Sequence, residues 1–282
     1  MINIVFFYKI IITSFFYYGN RTSKTDIKDL YLNTAKEIYV VGESIADDGQ
    51  NHDAFNMDCL RLITSNLQIP PDKNERKNVY VIFENQITFS SFQFSDISAD
   101  DKNKINYMPL NYYEMWAQKV FINQELDKDK SSKGDYLPLE GVEGIKYNDE
   151  KHVHLFIVGM SRMGIAMGIE AAHLAHYPNY EEKGIRTKIT FIDKNAVEEK
   201  DFFMGRFKEL FMLSHWRYGN MDGERMVWQE PHVPSDVDHL GGDFLDIEWE
   251  FINGGIEQTP IQDYILTSAN SLANRSISAL CR

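Results

Sequence analysis

The chain has 282 residues, of which 43% are hydrophobic and 25% charged, a balance that excludes a disordered protein and leaves room for one large domain or two small ones. Its formal net charge of −13, from 42 acidic and 29 basic residues, argues against general affinity for nucleic acid or an anionic membrane surface. Two cysteines, Cys59 and Cys281, provide neither a disulfide framework nor a metal-ligand spacing, so a reducing cytoplasm is the expected compartment.

Residues 2–18 are apolar and aromatic with a single charge, Lys9. Lacking a basic flank and a small-residue cleavage site, and short for a span, the segment reads as one or two buried strands rather than a signal or anchor. The last of these covers residues 10–18. A helix over 27–34 follows, capped by Asp26 or a neighbouring threonine, then a buried strand over 37–41 and a polar loop over 42–51. Met57, Leu60, Ile63 and Leu67 fall at helical spacing in a helix over 54–67, and a strand covers 79–84. Strand and helix alternating in this way predict a doubly wound, mainly parallel α/β sheet. No glycine fingerprint precedes these strands. Residues 85–104 read as irregular, and a helix over 112–126 carries a stripe of Tyr113, Trp116 and Val120 that reads as core packing. The charged run LDKDKSSKGDY marks a boundary, giving a first unit at 1–126, a linker at 127–150 and a second unit at 151–282.

The second unit carries the most informative stretch. Val153–Val158 is short, β-branched and apolar, as a buried parallel strand should be. Gly159, Ser161 and Gly164 then occupy the three positions of the dinucleotide fingerprint G-x-G-x-x-G, with serine in the middle. The first glycine allows a tight turn, the second a close backbone approach to pyrophosphate, and the third close packing of helix on sheet. A helix over 162–177 aims its dipole at the loop, which suits an anion. Pro178 to Gly184 form a polar loop, and a strand over 189–192 ends in Asp193, the candidate ribose-binding acid. Asp193 follows Gly164 by 29 residues, a longer connection than the usual spacing of about 20. A helix over 197–213 and a long connection lead to GGDFLD at 241–246, and a helix over 260–273 precedes SISALC, a short strand at which this second unit stops after four strands.

A weak internal repeat, YYGNRTS before TAKEIYVV and GGDFLD before LANRSISAL, resembles the third strand, helix and fourth strand of regulator-of-potassium-conductance (RCK) domains, also called TrkA-N domains. GMSRMG is similar to their phosphate loop except at the middle glycine, Gly242-Asp243 to the end of their third strand, and residues 30–41 to the segment leading into their fourth. The resemblance implies two incomplete tandem Rossmann-like units in a cytoplasmic, homo-oligomeric module. Such a module binds a nucleotide, NAD or NADH, or else ATP, ADP or AMP, without turnover, and reports the bound state to a membrane channel or transporter subunit. By position, Gly159, Met160, Ser161, Arg162, Met163 and Gly164 would face the phosphates, Asp193 with Lys194 the ribose, and Asp243 the nucleoside edge. The serine weakens the close backbone approach, although its hydroxyl and Arg162 could both serve a phosphate.

Two other readings stand beside this one: an NAD(P)-dependent oxidoreductase, which needs a proton donor near the nicotinamide, and a degenerate Rossmann scaffold acting through protein contacts. The segment TFIDKNAVEEKDFFMGRF also has a loose likeness to adenylating enzymes related to ubiquitin activation, with Asn195 and Arg206 available for ATP. His173 and His176, at a spacing that binds metal only if a third ligand converges, and likewise His152 and His154, read as packing or surface histidines rather than metal ligands, because no H-E-x-x-H motif or cysteine pair accompanies them.

Overall fold

The computed structural model describes residues 2–6, 15–42, 52–68, 76–85, 88–89, 104–122, 139–141, 143–234, 244–273 and 277–281. It is an α/β protein in two compact units, residues 1–112 and 113–282. Each unit is built on a largely parallel sheet among the described residues.

In the first unit, β1 (Ile2–Phe6) and β2 (Phe15–Gly19) form an antiparallel ribbon. Residues 15–18 of the strand expected at 10–18 therefore pair in this ribbon; residues 7–14 lie outside the described set. Helix α1 (Lys24–Asp29) is capped by Ser23, whose Oγ accepts the Asp26 N–H at 3.4 Å, while the Asp26 carboxylate turns back to accept the Asn20 N–H at 2.6 Å. A 3₁₀ turn occupies Leu32–Thr34, so the helix expected at 27–34 is broken. Strands β3 (Glu37–Val40), β4 (Lys77–Phe83) and β5 (Ile105–Asn111) pair in parallel in that order, and α2 (His52–Asn66) crosses between the first two. Met57, Leu60, Ile63 and Leu67 of the α2 segment do form the buried face, against Ile38, Val40, Val79, Val81 and Phe83. Strand β5 begins directly after the segment read as irregular and before the expected helix. Pro109 argues against a central strand, but β5 lies at the edge of its sheet, where a missing N–H costs little.

In the second unit, α3 (Tyr112–Ile122) buries Ala117 with Tyr113, Val120 and Phe121 against the core, whereas Trp116 of the expected stripe is exposed. The sheet is built from β6 (Val153–Val158), β7 (Thr187–Asp193), β8 (His215–Asp222), β9 (Arg225–Trp228), β10 (Ile247–Asn253) and β11 (Ile277–Cys281). Its order is β11-β6-β7-β10-β8-β9, with only β9 antiparallel among these strands. The sheet thus exceeds the four strands expected: the long connection after residue 213 holds β8 and β9, and GGDFLD leads into a further parallel strand, β10. The run SISALC does supply the closing strand, β11, seated beside β6.

Helices α4 (Arg162–Leu174), α6 (Ala196–Arg206) and α7 (Lys208–Leu213) pack on one face of this sheet, where Leu155, Ile157, Ile189, Phe191, Trp249 and Phe251 meet Ala166, Met167, Phe203 and Phe211. The helix expected as continuous over 197–213 breaks at Phe207, whose φ of −116° and ψ of 45° are not helical. A short helix, α5 (Asn179–Lys183), lies within the polar loop before β7. Helix α8 (Thr259–Ala273) packs on the other face, where Ile261 joins Phe156, Ile192 and Ile252. Among the described residues, no helix is long and apolar enough to cross a membrane.

Candidate functional site

The sheet of the second unit has a switch point. β7 and β10 are neighbours, yet β7 is followed by α6 on one face and β10 by α8 on the other. In open parallel sheets, ligands enter the crevice outside the carboxyl ends of such a pair of strands. Here that crevice is bounded by Asp193, the last residue of β7, and Asn253, the last of β10, with the glycine-spaced loop after β6 next to them. The three loops are stitched together by backbone: Gly159 N–H donates to Ile192 O at 2.8 Å and Gly254 N–H to Asp193 O at 2.9 Å.

Gly159 has φ of +100°, and a side chain there would meet open space, so glycine is required by the turn itself. A Cβ on Gly164 would collide with the Gly159 carbonyl oxygen, so the third glycine brings α4 directly onto the loop. A turn further along, a Cβ on Gly168 would lie 2.5 Å from Phe191 Cζ, extending the same close approach onto the sheet. Ser161 is the N-cap of α4, and its Oγ accepts the Gly164 N–H at 3.3 Å. The hydroxyl accepts there, which leaves it its proton to donate to an anion. Arg162 is exposed at the first position of α4. Met160 and Met163 turn their side chains to the core, Met160 fully.

Asp193 takes up backbone donors on both oxygens: Oδ2 accepts the Met160 N–H at 2.7 Å and Oδ1 the Asn195 N–H at 2.8 Å. The acid expected to face a ribose therefore also holds the loop in shape, with its second lone pairs left for a ligand. Lys194 is paired with Glu257 at 2.5 Å on the loop after β10, and this contact keeps the Glu257 carboxyl below the usual range. Asp243 lies outside the described residues. The residues after it, Phe244, Leu245 and Asp246, form a turn that enters β10 at its amino end, where Asp246 accepts from His176 Nδ1 at 2.9 Å.

Three polar groups at the crevice escaped the sequence reading. Asn253 Nδ2 donates to Asn220 Oδ1 at 3.2 Å from the end of β8, and Asn253 Oδ1 is shielded from solvent with no donor among the described residues. Gly255 N–H donates to Gln258 Oε1 at 2.8 Å, closing the turn into α8. The available signal was FINGG, an apolar run cut off by Asn-Gly-Gly as a strand end should be.

Beneath the crevice, a polar row crosses the α8 face: Thr190, Glu250 and Arg217 are in register on three neighbouring strands. Glu250 is fully buried and accepts from Thr190 Oγ1 at 2.6 Å, Tyr264 Oη at 2.5 Å and Arg217 Nε at 2.9 Å. Burial alone would raise its carboxyl, but Lys188 and Arg217 overcome this and hold it below its ordinary value. With the Thr190 proton committed to Glu250, Thr190 Oγ1 accepts from His154 Nε2 at 2.7 Å, which places a proton on Nε2. Burial pushes its pKa down to about 3. His154 is thus a packing residue inside the sheet. Among the described residues, no group of three or more histidine, cysteine or acidic side chains is placed to hold a metal ion.

No protein-family model matches the chain, and neither a curated protein nor a solved structure is significantly similar to it.

Proposed function

We propose that the second unit binds a nucleotide of the NAD type, with the phosphates over residues 159–164 and a ribose beside Asp193. The observation that carries this reading is the Gly159 turn, at φ of +100°, which brings the loop before α4 beside Asp193 at the carboxyl end of β7. A helix N-terminus beside an open glycine turn gives an anion both N–H donors and a favourable dipole. The Ser161 hydroxyl and the exposed Arg162 add a donor and a positive charge. By the RCK resemblance, the bound state is reported to a membrane channel or transporter subunit, with a homo-oligomer as the reporting unit. Titration calorimetry with NAD, NADH, ATP, ADP and AMP tests the binding: saturable binding of at least one is expected, and a folded chain that takes up none of them overturns the reading.

One observation favours a second reading, a Rossmann-like scaffold that binds no nucleotide. Asp193 occupies the Met160 N–H, and Glu257 neutralises Lys194, so two acids lie where a pyrophosphate needs positive potential. The same titration separates the two.

A further inference from the structure

His52 opens α2 in the first unit and is 2% exposed. Its Nδ1 lies 2.9 Å from Asp53 Oδ1 and its Nε2 lies 3.1 Å from the carbonyl oxygen of Val41, just past β3. Asp53 itself accepts two backbone donors, Glu84 N–H at 2.9 Å and Asn85 N–H at 3.0 Å, just past β4. Burial raises the Asp53 carboxyl, but His52 and these two N–H groups outweigh it and hold the group ionised, below its ordinary value. A carboxylate and a carbonyl only accept hydrogen bonds. Both ring nitrogens of His52 therefore face acceptors, and only the doubly protonated imidazolium satisfies both.

The surroundings are built around this cation. Gly42 has φ of +78°, and a Cβ on it would run into the His52 ring. Among the described residues, the charged groups facing the ring are Asp53 beside it, Glu84 past β4, and Arg21 from the turn before α1, whose Nη1 approaches the same Gly42 position. Asn56, one turn along α2, donates to Ile82 O at 2.8 Å and Val41 O at 3.4 Å, so the two strand ends are tied to one helix.

We propose that His52 is a proton-operated latch on the first unit. As an imidazolium it joins the end of β3 to the start of α2, and to the carboxylate that holds the chain past β4. On losing its proton it gives up one of these two ties. The latch loosens the carboxyl edge of the β3-β4-β5 sheet as pH rises. That is the edge at which parallel sheets receive ligands, and the proposal does not depend on nucleotide binding by the second unit. Burial lowers the His52 pKa, while the Asp53 hydrogen bond, Glu84 and the Asp53 charge raise it by more, so the balance favours the proton.

The test is an NMR titration of the His52 ring in the full chain, with amide exchange of Glu84 and Asn85 followed over the same pH range. The expected midpoint lies above the unperturbed value of about 6.5, and the two amides lose protection as pH passes it, beyond the intrinsic rise in exchange rate. Asp53→Asn should bring the midpoint down by roughly a unit or more. A wild-type midpoint at or below the unperturbed value overturns the proposal without recourse to any variant. So does amide protection that stays constant across the midpoint.

Discussion

Asp193 and Met160 are joined at 2.7 Å across two loops, carboxylate to backbone N–H. The acid that ends β7 therefore shapes the turn that follows β6. A charge-assisted bond of this kind is worth about 1.5 to 3 kcal/mol. Asp193→Ala should lower stability by about 2 kcal/mol in denaturant unfolding, and Asp193→Asn, which keeps one acceptor oxygen, by less. Equal stability of all three proteins would show that the loop holds its shape without the acid.

Two helical glycines should respond in opposite directions to the same change. Gly164→Ala drives a Cβ into the Gly159 carbonyl, and overpacking against backbone costs about 1 to 3 kcal/mol. Gly205 lies within α6 with open space at its Cβ, so Gly205→Ala should stabilise by up to about 1 kcal/mol through helix propensity. Thermal unfolding of the two variants beside the parent reads out both signs.

The polar row under α8 makes stability fall in acid. His154 stays neutral in the fold down to about 3, while an unfolded histidine takes up a proton below about 6.5. The unfolded state binds more protons across that window, so this contribution is present above it and is lost as pH falls. Glu250, depressed by Lys188 and Arg217 against the opposing effect of burial, acts in the same sense at lower pH. Unfolding measured from pH 7 to pH 4 should show the decline, and His154→Gln should flatten its upper part. A parallel decline in that variant would place the titration elsewhere.

Removing one partner of a buried ion pair strands the other, at a cost of about 3 to 5 kcal/mol. Glu250→Gln should come near the lower figure, because Arg217 is partly open to solvent. Thr190→Val, which leaves the His154 N–H without its acceptor and removes one of the two donors to Glu250 Oε2, should cost about 1 to 3 kcal/mol. If Glu250→Gln unfolds at the same denaturant concentration as the parent, the row contributes no stability.

Local signals make the unit from β6 through α4 to β7 legible in the sequence: an apolar run, a glycine turn and an apolar helix in succession. Of the strands that complete its sheet, β11 is readable in SISALC, whereas β8, β9 and β10 are not. Ile247–Asn253 places Glu248 and Glu250 inside a parallel strand, and what makes Glu250 tolerable there is Arg217 and Tyr264, distant in sequence. His215–Asp222 hides in a stretch rich in tryptophan and histidine, and Pro109 disguises β5. Periodicity reports burial, and these strands bury charge or sit at an edge. The crevice was half legible for the same reason: Gly159 and Asp193 stand in one continuous motif, whereas Asn253 enters only through the order of strands. His52 carried no signal, because its meaning lies in two acceptors that folding brings to it.

The most direct measurement compares nucleotide binding by the parent and by Ser161→Asp in titration calorimetry. Aspartate caps a helix as well as serine does, so the variant should keep the fold while placing a negative charge where the phosphates are proposed to lie. The account predicts saturable binding to the parent and at least a tenfold loss in the variant, about 1.4 kcal/mol. Undiminished binding by Ser161→Asp, or none by the folded parent, would contradict it.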